Sequence, residues 1–243
     1  MNALKALTVA ETRLFLRDPA TWGAAVILPT FILVILGLIF GNEPAEVFAG
    51  RGFLDVFAPS LVVLTVATLS VNTMTTRLAT YREKGVLRRL STAPVRPGAL
   101  LAAELAINVV AAIVAVALLV TVASVGFGVP WPQNLPGFIV TLGLGTSSLF
   151  ALALLFAAVV PSASAATAIG LAVFAAVMFL GGVYLPRYLL PEIVNSIGAF
   201  TPPGVEGLQD AWLGSPIDVA PLAIMAVITV VAGTVAARMF RWE

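Results

Sequence analysis

Four long runs of uncharged residues are the feature that most restricts how this chain can fold. The runs cover positions 19–42, 56–76, 105–186 and 219–237, with lengths of 24, 21, 82 and 19 residues. About 20 apolar residues carry an α-helix across the hydrocarbon core of a bilayer, so the 82-residue run has room for about three spans. Only 10% of the residues are charged, whereas soluble domains carry about 25%. The sequence therefore predicts an all-α membrane protein with six transmembrane helices.

Turn-forming residues divide the longest run into three parts. Segment 126–136 is rich in Gly and Pro, and Pro161 precedes three small residues; both patterns are typical of loops. We predict a single transmembrane domain over 1–243. It comprises an interfacial helix over 3–17, spans over 20–41, 54–76, 98–125, 136–160, 165–185 and 217–238, a cytoplasmic loop over 77–97, and an outer segment over 186–216.

The outer segment 186–216 combines five prolines with several apolar residues, among them Leu208 and Trp212. Apolar side chains are unfavourable in an open aqueous loop. We therefore expect short helices that dip back into the membrane in this segment, rather than an open loop.

The basic residues predict the orientation of the chain in the membrane. With six spans, both termini share one side, and 11 of the 13 Lys and Arg residues lie on that side. Only Arg51 and Arg187 lie on the other. Cytoplasmic loops carry such an excess of positive charge, so we expect both termini in the cytoplasm. The Ala-, Val- and Gly-rich composition suggests a bacterial source, so we expect the protein in a bacterial cytoplasmic membrane. No small-residue cleavage site follows the first span, which we expect to remain as an anchor.

Residues 3–17 predict a helix that lies in the membrane interface. Its apolar and basic residues fall on largely opposite faces, with Leu4, Leu7, Leu14 and Phe15 against Lys5, Arg13 and Arg17. Glu11 lies inside the apolar arc, which does not fit an interfacial helix considered alone.

The predicted spans carry few groups that could do chemistry. The chain has no Cys and no His, which excludes disulfides, Cys or His metal sites and His acid–base catalysis. It also lacks a Gly-rich phosphate loop, so we predict no catalytic and no metal-binding residues. Glu104 is the exception, about two turns inside the third span. It is either a functional intramembrane charge or a residue paired with Arg77 or Arg82 near the interface.

The second span contains a run of polar residues: Thr65, Thr68, Ser70, Asn72, Thr73, Thr75 and Thr76. Thr65, Thr68 and Asn72 are our candidates for a substrate path or subunit interface. The alternative for the threonines is that their hydroxyls bond to their own helix. For Asn72 we expect a buried partner on another helix, because an amide facing lipid is unfavourable.

Loop 77–97 has a charged start, a glycine, then Val86, Leu87 and Leu90 at helical spacing, and finally Pro94. A short helix with an apolar face can dock into a groove on a soluble partner. The alternative is a basic loop that only sets topology and touches anionic lipid.

Residues 83–95 read Glu-Lys-Gly-Val-Leu-Arg-Arg-Leu-Ser-Thr-Ala-Pro-Val. They resemble the Arg-Glu-x-Gly-Thr-Leu-x-Arg-Leu-x-x-Thr-Pro loop of type-2 ABC exporter permeases, most closely the daunorubicin-resistance-like drug-exporter branch. The loop also stands in the family's position, between the second and third spans. Val86 replaces the usual Thr, and Ala93 stands where a Thr often precedes the Pro. Neither change removes the apolar face.

The resemblance implies that the chain is a permease and not an enzyme. Such a permease exports a hydrophobic or amphipathic substrate, for example a drug, lipid or polyketide-like molecule. A second permease subunit, identical or paralogous, would pair with it. The second and fifth spans would line the path between the two subunits. Separate nucleotide-binding ATPase subunits would carry ATP and Mg; no cofactor is expected in this chain, and no nucleic-acid partner. The implied ATPase-docking residues are Glu83, Gly85, Leu87, Arg88, Arg89, Leu90 and Pro94. The alternatives are an ion-coupled secondary transporter that uses Glu104, and a membrane assembly protein without transport.

Overall fold

The computed structural model describes residues 3–48, 50–86, 97–160, 162–180, 183–184 and 190–239. Helices dominate these residues, and the β-pairing within them is an isolated bridge between Ala45 and Arg51. In chain order the helices are α1 (Ala3–Arg17), α2 (Pro19–Trp22), α3 (Leu28–Phe40), α4 (Phe53–Ala67), α5 (Thr75–Glu83), α6 (Pro97–Phe127), α7 (Leu135–Val159), α8 (Ala163–Leu180), α9 (Glu192–Ala199), α10 (Val205–Leu213) and α11 (Val219–Met239). π-Helical turns join α2 to α3 (Gly23–Ile27) and α4 to α5 (Thr68–Met74), and Glu46–Phe48 is a 3₁₀ turn.

Five helical stretches in the described part of the chain are long and apolar enough to cross a membrane: Gly23–Phe40, Phe53–Tyr81, Ala99–Phe127, Leu135–Val159 and Val219–Met239. A further apolar helix, Ser164–Leu180, is shorter. These are called the first to sixth spans in chain order, with Ser164–Leu180 as the fifth. The predicted all-α membrane architecture is confirmed. The predicted end of the fifth span, residue 185, lies outside the described residues.

The second span forms the centre of the bundle. In its most apolar stretch 72% of the residues are buried, against 28% in the first span and 22% in the sixth. Leu54, Leu61 and Val66 of this span join a buried cluster with Leu119 of the third span and Leu149 of the fourth. The outer spans instead expose large apolar side chains, as expected for helices that face lipid.

The two ends of the bundle differ in charge. The end that holds α1, Glu83, the start of the third span and the end of the sixth span is called the basic end; it carries Arg13, Arg17, Arg77 and Arg238. The opposite end is called the acidic end and carries Glu43, Glu46, Asp55, Glu192, Glu206, Asp210 and Asp218.

Helices α9 and α10 form a hairpin at the acidic end. The amides of Gln133 and Asn134 donate to the carbonyls of Trp212 and Ala211 at 3.1 and 2.9 Å, so α10 ends beside the start of the fourth span. Trp212 is only 1% exposed, and its ring meets that of Phe138 edge-on at 5.6 Å between centroids.

The turn between α9 and α10 lies deeper in the bundle. A Cβ atom at Gly145 would collide with the carbonyl group of Pro203, so this turn rests directly on the fourth span. Gly145 follows Leu135, the first residue of that span, by ten positions, which is about 15 Å along a helix. The hairpin therefore reaches roughly halfway along the fourth span.

Candidate functional site

The basic end of the second span leads into the predicted docking loop. Helix α5 ends at Glu83, and the Lys84 amide donates to the carbonyl of Thr80 at 2.9 Å. Gly85 has a φ of +66°, the left-handed conformation that glycine adopts readily after a helix. Glu83 and Gly85 therefore form the turn by which the chain leaves the helix. The other predicted docking residues, Leu87, Arg88, Arg89, Leu90 and Pro94, lie outside the described residues.

A buried ionic cluster lies just behind this turn. One terminal nitrogen of Arg77, Nη2, is 3.1 Å from Glu11 Oε2, and the other, Nη1, is 3.4 Å from Glu104 Oε2. Glu11 belongs to α1, Arg77 to the second span and Glu104 to the third. One guanidinium group therefore connects three helices.

Two neutral side chains complete the cluster. The Tyr81 hydroxyl donates to Glu11 Oε2 at 2.7 Å and accepts from Arg77 Nη2 at 3.1 Å. The Asn108 amide donates to the Glu104 backbone carbonyl at 2.9 Å and to Glu104 Oε2 at 3.3 Å. These bonds hold both carboxylates in place. Tyr81 of the second span holds Glu11, and Asn108 holds Glu104 within the third span.

Because the cluster is buried, pulling its charged side chains apart is unfavourable. Glu104 has no exposed surface and Glu11 is 6% exposed. A buried charge is tolerated only when it is paired and hydrogen-bonded, and removal of one partner leaves an uncompensated charge. The alternative in which Glu104 pairs with Arg77 is thus the one that the structure shows. The cluster is suited to holding helices together rather than to catalysis. In the described part of the chain, no three acidic residues are grouped so that they could hold a metal ion.

The predicted path residues lie farther from the docking loop, toward the acidic end of the second span. Thr65 and Thr68 donate to the carbonyls of Leu61 and Leu64, four residues earlier, at 2.8 and 2.7 Å. These hydroxyls are satisfied by their own helix, which is the alternative stated for them above. Thr65 is fully buried, whereas Thr68 is half-buried.

Asn72 lies in the π-helical turn and is half-buried. It faces the fifth span, where a Cβ atom at Gly170 would be 4.0 Å from Asn72 Oδ1 and 3.3 Å from the carbonyl oxygen of Val71. No side chain among the described residues hydrogen-bonds to this amide. The structure thus places Asn72 at an interhelical contact, but among the described residues it lacks the buried partner on another helix that we expected.

Sequence reasoning did not find Glu11, Tyr81 and Asn108 as members of one cluster. A signal was present, because Glu11 lies on the apolar face of α1 and such a position requires a buried partner. Tyr81 follows Arg77 by four residues, and Asn108 follows Glu104 by four, the spacing that places side chains on one face of a helix.

A comparison with known families shows which family the chain belongs to. A family model described as ABC-2 type transporter matches residues 2–203, from the start of α1 to the turn that rests on Gly145. The chain belongs to the ABC-2 type transporter family. No curated protein matches the chain. The resemblance stated for the docking loop is confirmed at the level of the family, and with its apolar helices the chain is a multi-pass membrane protein and a permease subunit of an ABC transporter.

Proposed function

We propose that this ABC-2 permease exports an amphipathic or hydrophobic substrate, and that a separate nucleotide-binding subunit supplies the energy from ATP. The observation that carries the proposal is the position of the Arg77 cluster. The second and third spans flank the docking loop, and the cluster joins both of them to α1. A nucleotide-binding subunit that displaces the loop would therefore move three helices together.

The second span offers a place where such a movement could be absorbed. The π-helical turn Thr68–Met74 interrupts the α-helix directly above Arg77, and π-helical turns are frequent at functional sites. Residues between this turn and the docking loop would move with the loop. Residues on the side of the turn toward the acidic end belong to the buried core of the bundle. The predicted path residues Thr68 and Asn72 lie within the turn itself.

The distribution of charge supports an apolar or amphipathic substrate. In the described spans the ionisable side chains are Asp55, Arg77, Tyr81, Glu104 and Arg238, all toward the ends of the spans. A highly charged substrate would need compensating charges at depth. This distribution supports a drug, lipid or polyketide-like molecule as substrate. The drug-exporter branch itself is proposed only from the resemblance of residues 83–95.

The proposed assembly has two permease subunits, identical or paralogous, and two ATPase subunits that bind ATP and Mg. The chain would lie in a bacterial cytoplasmic membrane with both termini in the cytoplasm. The support for this orientation is the sequence, in which 11 of the 13 Lys and Arg residues fall in the segments predicted to share one side of the membrane. The docking loop would then face the ATPase.

Co-purification tests this proposal. The permease is purified with a candidate ATPase subunit from the same genome, as wild type and as Leu87→Asp/Leu90→Asp. The control is Val47→Asp, which replaces another apolar residue by Asp at a position that is 73% exposed at the acidic end. We expect wild type and control to retain the ATPase and the double variant to lose it while inserting normally. A wild type that purifies alone and moves substrate across vesicles without ATP would overturn the proposal.

A further inference from the structure

A groove at the basic end lies along the contact between α1 and the third span. It has a volume of about 380 Å³. Its walls are Thr12, Phe15 and Leu16 of α1, Trp22 at the start of the first span, and a third-span face that includes Ala106 and Val110. The atoms that line it are almost all apolar, so water is an unfavourable occupant.

The rim of the groove faces the membrane. Val110 and Val114 of the third span are 59% and 55% exposed, and Leu16 of α1 is 63% exposed. These side chains lie on a helix that crosses the bilayer and on one that we place in its interface. The natural occupant of an apolar groove open to this region is a lipid acyl chain.

Positive charge lies beside this rim. Arg13 precedes the groove residue Leu16 by three positions, and Arg17 follows Arg13 by four. These spacings make the side chains neighbours on the surface of α1, and both arginines are exposed. Among the described residues no carboxylate pairs with either guanidinium. An unpaired guanidinium binds a phosphate group through charge-assisted hydrogen bonds. The charge and the apolar groove therefore complement a single kind of ligand.

We propose that this groove binds an anionic phospholipid from the leaflet at the basic end. One acyl chain fills the space between α1 and the third span, and the phosphate contacts Arg13 or Arg17. The site is independent of the proposed export activity. Because Thr12 is the neighbour of Glu11, a bound lipid would support α1 next to its contact with Arg77.

Native mass spectrometry of the purified, delipidated protein tests the site. The probes are palmitoyl-oleoyl-phosphatidylglycerol, which is anionic, and palmitoyl-oleoyl-phosphatidylcholine, which has no net charge. We expect one phosphatidylglycerol to bind at least tenfold more tightly than phosphatidylcholine. Each basic residue near an anionic headgroup contributes about 1 kcal/mol, so Arg13→Ala/Arg17→Ala should weaken phosphatidylglycerol binding by about 30-fold.

Val110→Trp fills the groove and should abolish binding of both lipids. Matched controls carry the same changes elsewhere: Val227→Trp on the sixth span, where Val227 is 61% exposed, and Arg238→Ala at the basic end. Both controls should bind as wild type does.

Three results would overturn the proposal. Equal binding of the two lipids would remove the anionic specificity, and unchanged binding in Val110→Trp would remove the groove. The chain has no cysteine, so a disulfide between two copies of Val110→Cys in the membrane would show that a second protomer covers this face instead.

Discussion

The guanidinium of Arg77 lies 3.1 Å from the carboxylate of Glu11, which is 66 positions earlier in the chain. This contact explains an acidic residue on the apolar face of α1. An interfacial helix without a partner would leave Glu11 unpaired at a buried position, whereas here α1 is held to the second span at the point where that span approaches the docking loop.

Replacement of Arg77 by Met should strongly destabilise the protein. The substitution keeps much of the side-chain volume but leaves Glu11 and Glu104 buried without a cation. Removal of one partner of a buried pair costs about 3–5 kcal/mol. We expect a large fall in the thermal unfolding midpoint of the purified protein in detergent. Arg238→Met is the control and should change little, because Arg238 is exposed at the end of the sixth span. Equal midpoints for wild type and Arg77→Met would contradict the role given to the cluster.

Tyr81→Phe tests the two hydrogen bonds of the Tyr81 hydroxyl, which donates to Glu11 and accepts from Arg77. The substitution removes one hydroxyl, which donates at 2.7 Å to the Glu11 carboxylate. Hydrogen bonds to charged groups contribute about 1.5–3 kcal/mol, so stability should fall by less than in Arg77→Met. A double-mutant cycle with Glu11→Gln should show coupling of about 0.5–3 kcal/mol. Strictly additive effects would mean that the two residues act independently.

Much of the fold could be predicted because hydrophobic runs and basic residues are local signals. The four uncharged runs are read directly from the sequence, and the length of a helix needed to cross a bilayer is known. The charged turn at Glu83 and Gly85 could be found in the same way, since a glycine after a helix marks its end.

The cluster itself could not be predicted, because it depends on contacts between distant parts of the chain. Glu104 had two possible arginine partners in the sequence, and only the packing of the second span against the third selects Arg77. The partner of Glu11 depends further on how α1 lies across both spans. The depth of the α9–α10 turn likewise follows from the contact of Pro203 with Gly145. No local sequence pattern predicts that contact.

Gly145→Ala should displace the hairpin at the acidic end. The added Cβ would meet the carbonyl group of Pro203, and overpacking of this kind costs about 1–3 kcal/mol. Gly143→Ala is a matched control two residues away, since in the described part of the chain nothing lies within 4 Å of a Cβ at that position. The control should be neutral or slightly stabilising, because Ala favours the helix over Gly. Thermal unfolding of the two variants side by side tests the contact, and equal midpoints would show that the turn does not rest on the fourth span.

Gly85→Ala should weaken capture of the ATPase subunit with little effect on the transmembrane bundle. The reason is conformational, since φ at Gly85 is +66° and no atom of the described residues lies within 4 Å of a Cβ at this position. A left-handed conformation costs a side-chain-bearing residue roughly 1–2 kcal/mol, while Asn tolerates it better. Gly85→Asn should therefore retain more ATPase in co-purification than Gly85→Ala does. Should both variants retain as much as wild type, the turn does not position the docking loop.

Glu104→Gln distinguishes the proposed function from an ion-coupled transporter. An ion-coupled transporter that uses Glu104 as its intramembrane charge would lose transport in this variant. In the cluster described here, Glu104 is the more weakly held carboxylate, at 3.4 Å from Arg77 against 3.1 Å for Glu11. Gln keeps an acceptor oxygen for Arg77, and the remaining charges form a one-to-one pair with Glu11. We therefore expect ATP-dependent transport to persist in Glu104→Gln, with a smaller loss of stability than in Arg77→Met. Transport is measured in vesicles that contain the permease and the ATPase. Complete loss of transport in a normally folded Glu104→Gln protein would favour ion coupling, because the helices would keep their positions and only the titratable group would be missing.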